Sequence, residues 1–216
     1  MITVNGEPCI RGMLWVPYRG QWVFRGEVAS AVELGGKVTV TVDGVDHVGT
    51  AIGADEWRGV RQVAVLPGAA KLSSLVPAIA HRSIPVSVIA SSIVQASGER
   101  LSPVVETTLV LSQWTRIGTT AAACLADLAD CQSRIVWRSL PDGRQWLGVD
   151  VWGTSKATIL QTRDRDIPLQ VDDVQLSGAV RPGQVLGSQR VYGVRYMQYA
   201  KDYRVQVSWR AAPEIR

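Results

Sequence analysis

The clearest pattern of apolar and polar positions lies in the middle of the chain. Over 121–130 the apolar residues recur at spacings of three and four, which is typical of one buried helix face. A preceding hydroxyl, of Thr119 or Thr120, can accept a hydrogen bond from a free backbone N–H of the first turn. The period changes to two over 135–140, as in a β-strand, and a Pro-Asp-Gly turn follows at 141–143. We therefore predict a helix that leads into a β-hairpin, with an apolar helix face formed by Ala121, Cys124, Leu125, Leu128 and Cys131.

Alternation with a period of two dominates residues 1–75. In the segment VTVTV over 38–42, valines point to one face and threonines to the other, so one face is buried. The next two residues, Asp43 and Gly44, are a strong hairpin signal, because both turn positions require positive φ. Strands at this spacing are typical of a small sandwich or barrel. Turns that contain Gly or Pro separate further predicted strands at 2–4, 12–16, 21–28, 45–52 and 59–66.

The remaining segments carry weaker patterns. Residues 84–96 have a helical apolar period, with Ser83 as the cap and Gly98 as the stop. Their β-branched residues leave a strand as the alternative. Residues 72–79 fit a helical turn or a loop, and the polar stretch 152–165 is predicted to be a loop. Further strands are predicted at 104–111, 169–174, 189–198 and 203–209, followed by a frayed tail.

These patterns predict a mainly β fold with a minor α content. We expect two small barrel- or sandwich-like β domains, with a helix and a helix–hairpin unit inserted between them. The predicted boundaries are 1–82 for the first β-barrel-like domain, 83–152 for the insertion and 153–216 for the second β-barrel-like domain.

Charge and cysteine content narrow the functional classes. The formal net charge is +4, and the basic residues are spread along the chain rather than gathered in a run, so charge alone does not indicate nucleic acid. Cys124 and Cys131 are seven residues apart on the predicted helix, about 10.5 Å of rise, which exceeds the reach of a disulfide. With Cys9 they are expected to be small buried hydrophobes. The N-terminal residues do not read as a signal peptide, and no apolar stretch reaches about 20 residues, so we expect a soluble protein made in a cytoplasm.

The search for catalytic chemistry is mostly negative. The two histidines, His47 and His81, belong to no metal-binding motif, and neither a serine-hydrolase elbow nor a phosphate-binding loop occurs. We therefore predict no catalytic, cofactor-binding or metal-binding residue, no cofactor and no enzymatic activity. Paired carboxylates keep a cell-wall hydrolase open as an alternative, although neighbouring side chains on a strand point to opposite faces. These carboxylates are Asp55-Glu56, Asp164 with Asp166, and Asp172-Asp173.

Tyrosines and basic residues alternate near the C-terminus. They could form a stacking and phosphate-binding surface, as in an OB-fold that binds nucleic acid. We favour the other interpretation, in which these tyrosines line a barrel wall or a protein interface. The residues are Tyr192, Tyr196, Tyr199 and Tyr203 with Arg190, Arg195, Lys201 and Arg204.

The central segment resembles hub proteins of bacteriophage tails. The resemblance rests on an Ala- and Leu-rich helix at 121–128, a strand with Trp137-Arg138, and a Leu-Pro-Asp-Gly turn at 140–143. It continues in the Trp-Leu-Gly return strand at 146–148, and it extends over roughly 86–209. The later matching segments are the Arg-Pro-Gly turn at 181–183 and the strands at 190–196 and 203–209.

The resemblance implies a structural protein with two β-barrel domains and a helix–hairpin insertion, related to the base of contractile secretion-system spikes. Such a hub joins the hexameric tail tube to the central spike or tip. Its expected partners are two further copies of itself in a homotrimeric ring, the tail tube protein and a spike or tail-tip protein. Membrane and nucleic acid are not expected partners. The expected location is the tail or baseplate of the virion, after assembly in the cytoplasm of the bacterial host.

Overall fold

A computed structural model describes residues 1–29, 31–103, 108–132, 134–149, 154–200 and 202–209. Its strands and helices are numbered along the chain. The first part of the chain holds β1 (Ile2–Val4), β2 (Glu7–Pro8), β3 (Arg11–Pro17), β4 (Val23–Ala29), β5 (Lys37–Val42), β6 (Val45–Trp57), β7 (Val60–Pro67), β8 (Leu75–Val76) and β9 (Ile79–Pro85). The central part holds α1 (Val86–Ser97), β10 (Val110–Arg116), β11 (Thr119–Thr120), α2 (Ala121–Asp130), β12 (Ile135–Ser139) and β13 (Gln145–Val149). The last part holds β14 (Ile159–Asp166), β15 (Val171–Leu176), β16 (Val185–Leu186), β17 (Gln189–Arg190), β18 (Gly193–Tyr199) and β19 (Asp202–Ser208).

Eleven of these strands form one curled, half-barrel sheet, which confirms the predicted mainly β fold. The strand order is β14-β15-β19-β18-β3-β4-β7-β6-β5-β1-β2, and every pairing within it is antiparallel. Alternate side chains of the strands point to the concave face and bury the first core. Its fully buried members include Ile2, Val4, Leu14, Phe24, Val38, Val40, Val65, Val194 and Val207.

The first and last parts of the chain meet in this sheet. β18 pairs with β3 along seven residues of each strand, with Val194 opposite Val16. The side chain of Gln198 adds two buried hydrogen bonds, since its Oε1 accepts from the backbone N–H of Ile2 at 2.5 Å and its Nε2 donates to the carbonyl of Cys9 at 2.9 Å. The three-part division at 82/83 and 152/153 stays a prediction. The structure adds that the first and third of these parts share one sheet and one core.

The β5–β6 turn has the predicted geometry. Asp43 and Gly44 both have positive φ, of 49° and 76°, as a two-residue hairpin turn requires. The valines of β5 are buried, whereas its threonines are half-buried on the other face. The predicted face assignment is therefore confirmed.

The two helices and the β12–β13 hairpin form a second core beside the sheet. Helix α2 begins where predicted, and the hydroxyl of Thr120 accepts a hydrogen bond from the backbone N–H of Ala123 at 3.2 Å. The hairpin turns at Gly143, whose φ is 84°. The apolar side chains that meet in this core include Val86, Ile89, Ile93, Trp114, Cys124, Leu125, Leu128, Ile135 and Leu147. The helix–hairpin prediction is thus confirmed.

Hydrogen bonds fasten the β12–β13 hairpin to the sheet. The indole N–H of Trp22 donates to the carbonyl of Leu140 at 3.1 Å, and the backbone N–H of Val48 donates to the carbonyl of Pro141 at 2.6 Å. Gly20 exchanges backbone hydrogen bonds with the first strand of the hairpin. The fully buried ring of Trp22 therefore links the first core to the hairpin.

Two local predictions around the helices are wrong. Ser83 does not cap α1, because β9 continues to Pro85 and the helix starts only at Val86, without a side-chain cap. Cys131 is exposed rather than buried, because α2 ends one residue before it. Gly98 does end α1, with φ of 81°.

The prediction of a loop at 152–165 is wrong over 159–165, which belong to β14, whereas residues 154–158 lie outside the named strands. Residues 152 and 153 of that range lie outside the described residues. Residues 104–107 of the strand predicted at 104–111 are likewise outside them, and β10 starts only at residue 110. Residues 72–79, for which a helical turn or a loop was predicted, contain the short strand β8 and the start of β9. The predicted tail lies beyond the last described residue, 209.

Candidate assembly surfaces

The β14–β15 hairpin forms one edge of the eleven-stranded sheet, and the turn at its tip is apolar. All eight residues of β14 are exposed. At the tip, Ile167 and Leu169 are 75% and 61% exposed. The turn is held by a hydrogen bond from the backbone N–H of Leu169 to Oδ1 of Asp166 at 3.0 Å, and by one from Gln170 N–H to the Ile167 carbonyl at 3.2 Å. The structure therefore holds two large apolar side chains in solvent on a short, hydrogen-bonded turn.

An ion pair across the two strands supports the stem of this hairpin. Arg165 donates from Nε and Nη2 to the two carboxylate oxygens of Asp172, at 2.9 and 2.8 Å. The neighbouring Asp173 is also buried, and Oδ2 of its carboxylate lies 3.9 Å from Nη1 of Arg204. Burial raises the pKa of the Asp173 carboxyl. Asp172 and Asp173, one of the three carboxylate pairs considered for hydrolysis, thus contact different arginines.

A cavity of about 390 Å³ lies between the sheet and the β12–β13 hairpin. Most of its walls are apolar, and its polar lining includes Arg138 and Arg181. The guanidinium of Arg138 lies 4.1 Å from the ring centroid of Trp146, which is a cation–π contact. The apolar walls come from five separate segments of the chain and include Val16, Pro17, Val42, Val45, Leu140, Pro141, Val180 and Tyr196.

His47 also lines this cavity, as a packed neutral side chain. Only 5% of the residue is exposed, and its ring stands edge-on to Trp22 at a centroid distance of 5.5 Å. Burial lowers the pKa of His47 from 6.5 to about 4. His81 is half-buried against Trp114, with ring centroids 5.9 Å apart. Within the described ranges, no His, Cys, Asp and Glu side chains gather into a group that could hold a metal ion.

The β9–β10 ribbon is a second exposed apolar feature. It stands apart from the large sheet as a two-stranded ribbon, and it packs on the second core through the buried Trp114. Arg116 is also buried, and its Nε donates to the carbonyl of Pro77 at 2.6 Å. Neither 75–88 nor 108–120 contains an aspartate or a glutamate. Large apolar residues exposed on and around the ribbon are Leu75, Ile79, Val88, Val110 and Ile117.

The tyrosines near the C-terminus do not share one surface, so the stacking surface considered for nucleic acid is not formed. Tyr196 is buried, and its hydroxyl donates to the carbonyl of Val180 at 3.0 Å. Tyr199 is 54% exposed, whereas Tyr203 packs against the first core. The ring of Tyr192 stands edge-on to the ring of Tyr18, which directly follows β3. Lys201, the lysine of that set, lies outside the described residues.

Neither α1 nor α2, the helices of the described ranges, has the length and apolarity that a membrane-spanning helix needs. No protein-family model matches the chain, and no curated protein sequence matches it significantly.

Solved structures share the fold over nearly the whole chain. The 43 kDa tail protein of prophage MuSo2 from Shewanella oneidensis has a TM-score of 0.68 at 8% identity, over 95% of this chain and 96% of that one. A tail protein from Neisseria meningitidis MC58 has a TM-score of 0.63 at 12% identity, over 95% and 94%. The E. coli c3393 protein has a TM-score of 0.64 at 10% identity, over 99% of this chain and 77% of that one.

The c3393 protein is described as a component of the type VI secretion system with structural similarity to the T4 bacteriophage tail proteins gp27 and gp5. The predicted resemblance to phage tail proteins and secretion-system spikes is thus confirmed in the fold. At 8 to 12% identity the likeness concerns the fold alone.

Proposed function

We propose that this chain is a structural component of a bacteriophage tail, the baseplate hub that joins the tail tube to the central spike or tip. One observation carries the proposal: two tail proteins and a secretion component with similarity to gp27 and gp5 share its fold over 95 to 99% of this chain. Fold alone does not determine function, so the surfaces must supply the rest of the support.

The surfaces fit an assembly role better than catalysis. Exposed apolar side chains are concentrated on the β14–β15 tip and around the β9–β10 ribbon, and such patches on a protein surface mark contacts with other proteins. Asp172, one of the carboxylates weighed for hydrolysis, is engaged by both donors of the Arg165 fork. We propose a non-enzymatic role in the virion.

We further propose that three copies form a closed ring that contacts the tube protein on one face and the spike or tip protein on the other. A ring needs a head-to-tail contact between two different patches of the same chain. The hairpin tip, the cavity and the ribbon are different surfaces and can supply such patches.

The test is the molar mass in solution, measured by light scattering behind a sizing column. We expect three times the chain mass of 23.4 kDa. Purified tube and tip proteins of the same phage are then mixed with the ring, and co-elution with both is expected. A chain that stays monomeric at about 100 μM and binds neither protein would contradict the proposal, because complexes weaker than this are marginal.

A further inference from the structure

We propose that the β14–β15 tip of one copy inserts into the cavity beside the β12–β13 hairpin of the next copy, and that this contact builds the ring. This inference rests on the proposed function, because it names the patches that a head-to-tail ring would use. It commits to a second copy of this chain as the occupant of the cavity.

The tip has the properties of a rigid apolar plug. Ile167 and Leu169 flank Pro168 in sequence, and both are mostly exposed. The turn is closed by its own hydrogen bonds, and the backbone N–H of Trp209 adds one to the carbonyl of Gln170 at 3.0 Å. A preformed plug loses little conformational freedom on binding, which favours affinity.

The cavity has the properties of a matching receptor. Its volume of about 390 Å³ lies within the range of about 300–1,000 Å³ that binding pockets occupy. Its walls are mostly aliphatic and aromatic, so they offer the plug an apolar environment. None of the residues 167–170 lines this cavity in their own chain.

Charge is complementary between the two surfaces. Arg138 and Arg181 line the cavity, whereas Asp166 immediately precedes the apolar tip in sequence. Asp164 lies between Arg163 and Arg165, and Arg165 is neutralised by its ion pair with Asp172. Insertion of the tip would bring carboxylates towards guanidinium groups at the cavity, where charge-assisted hydrogen bonds fix orientation. Pairs of this kind favour the correct partner and register.

The other exposed apolar features fit the cavity less well. The β9–β10 ribbon has no carboxylate in 75–88 or 108–120 to meet the two arginines. At the β6–β7 tip the guanidinium of Arg58 lies 4.4 Å from the ring centroid of Trp57, and it would bring a positive charge towards the arginines of the cavity. The β6–β7 tip also has carboxylates, Asp55 and Glu56, but there the guanidinium lies on the apolar ring itself. At the β14–β15 tip only Pro168 lies between the two exposed apolar side chains.

The β14–β15 tip and the cavity also lie at the same ends of the strands, on one side of the sheet's length. Ser208 of β19 is paired with Val171 at the start of β15 and with Gly193 at the start of β18. Gly193 is paired in turn with Pro17, which lines the cavity. Three strand spacings of about 4.8 Å separate β15 from β3 within one chain. If the ring axis is parallel to the strands, the tip and the cavity lie at the same position along that axis. The contact can then repeat from copy to copy around a closed ring.

The first test measures the molar mass of three proteins by light scattering as a function of concentration. We expect the wild-type chain to form the ring. In Ile167→Asp the dissociation constant of the contact between copies should be at least tenfold higher. Trp57→Asp is the matched control, since Trp57 is 69% exposed at the β6–β7 turn, outside the plug, the cavity and the ribbon. It is expected to assemble like the wild type. Circular dichroism checks that all three are equally folded.

The second test is a charge exchange between the two surfaces. Arg181→Asp and Asp166→Arg are each expected to weaken the ring, and the double variant to restore it. Because Asp166 also accepts the turn hydrogen bond from Leu169, Asp166→Asn serves as a control that keeps an acceptor but removes the charge. Asp166→Asn is expected to weaken the ring less than Asp166→Arg, because it adds no repulsion.

The outcomes separate this inference from the proposed function. A ring that persists in Ile167→Asp, or a double variant no better than its single parents, overturns the plug-and-cavity contact and leaves the hub intact. A wild-type chain that is monomeric at every concentration overturns the ring and this contact together. If Trp57→Asp dissociates the ring as strongly as Ile167→Asp, the plug is not the specific contact.

Discussion

Acidification should destabilise this protein through His47. Its imidazole is buried beside the ring of Trp22, and its Nδ1 lies 3.3 Å from the carbonyl oxygen of Val45. Burial penalises the charged imidazolium and lowers the pKa of His47 from 6.5 to about 4 in the folded chain. The folded state therefore keeps the ring neutral at a pH where the unfolded chain protonates it.

The sign and size of the effect follow from this difference. Between pH 6.5 and about 4 the unfolded chain binds more protons than the folded chain, so the free energy of unfolding falls as the pH falls. Above pH 6.5 His47 contributes no pH dependence. At about 1.4 kcal/mol for each pKa unit, a difference of about 2.5 corresponds to a loss of roughly 3 kcal/mol.

The measurement is urea unfolding, followed by tryptophan fluorescence, at several values between about pH 7 and about pH 4.5. The wild type is compared with His47→Gln, which cannot take up the proton, and with His81→Gln as a control at the other histidine. We expect the wild type and His81→Gln to lose roughly 2 kcal/mol or more beyond the loss in His47→Gln. Parallel pH profiles in all three proteins would refute the reasoning, since the loss would then come from other groups.

Three further predictions concern the rest of the fold. Thr120→Ala removes the N-cap of α2 and should lower the free energy of unfolding by about 1 kcal/mol in urea, whereas Thr120→Ser should retain most of it. Gly49→Ala should prevent normal folding or cost about 1–3 kcal/mol or more, because the new Cβ would clash with the backbone carbonyl of Leu66; circular dichroism and urea unfolding test this. Iodoacetamide should label one thiol of the native chain, the exposed Cys131, and all three only in denaturant, as mass spectrometry can count. Burial raises the pKa of the Cys9 thiol to about 11, which further slows its reaction.

Local signals predicted those parts of the fold that neighbouring residues determine. The Asp43-Gly44 turn needs positive φ at two adjacent positions, and both residues tolerate it. The cap at Thr120 needs a hydroxyl one residue before a run of helix formers. In each case the physical cause and the sequence signal lie within a few residues of each other, so the pattern alone was sufficient.

The strand β14 shows where such signals fail. All eight of its residues are exposed, so no alternation between a buried and a solvated face marks the segment as a strand. Pairing with β15 and the ion pair from Arg165 to Asp172 support it instead. Both contacts depend on residues across a turn, and the polar sequence therefore suggested a loop. The cap predicted at Ser83 failed for a related reason, since β9 pairs with β10 through the residues on both sides of Ser83 and continues to Pro85.

The cavity could not be predicted from any single segment, because its walls come from residues 16–17, 42–47, 138–146, 179–184 and 196. The pairing of β18 with β3 places the first and last of these segments side by side, and the hydrogen bond from Trp22 to Leu140 places the hairpin over them. Each contact joins residues more than 100 positions apart, and neither leaves a periodic trace in the sequence. The same long-range contacts that close the core therefore create the surface on which the proposed assembly depends. A change that loosens either one, such as loss of the Trp22 indole N–H, should weaken the proposed ring before it unfolds the sheet.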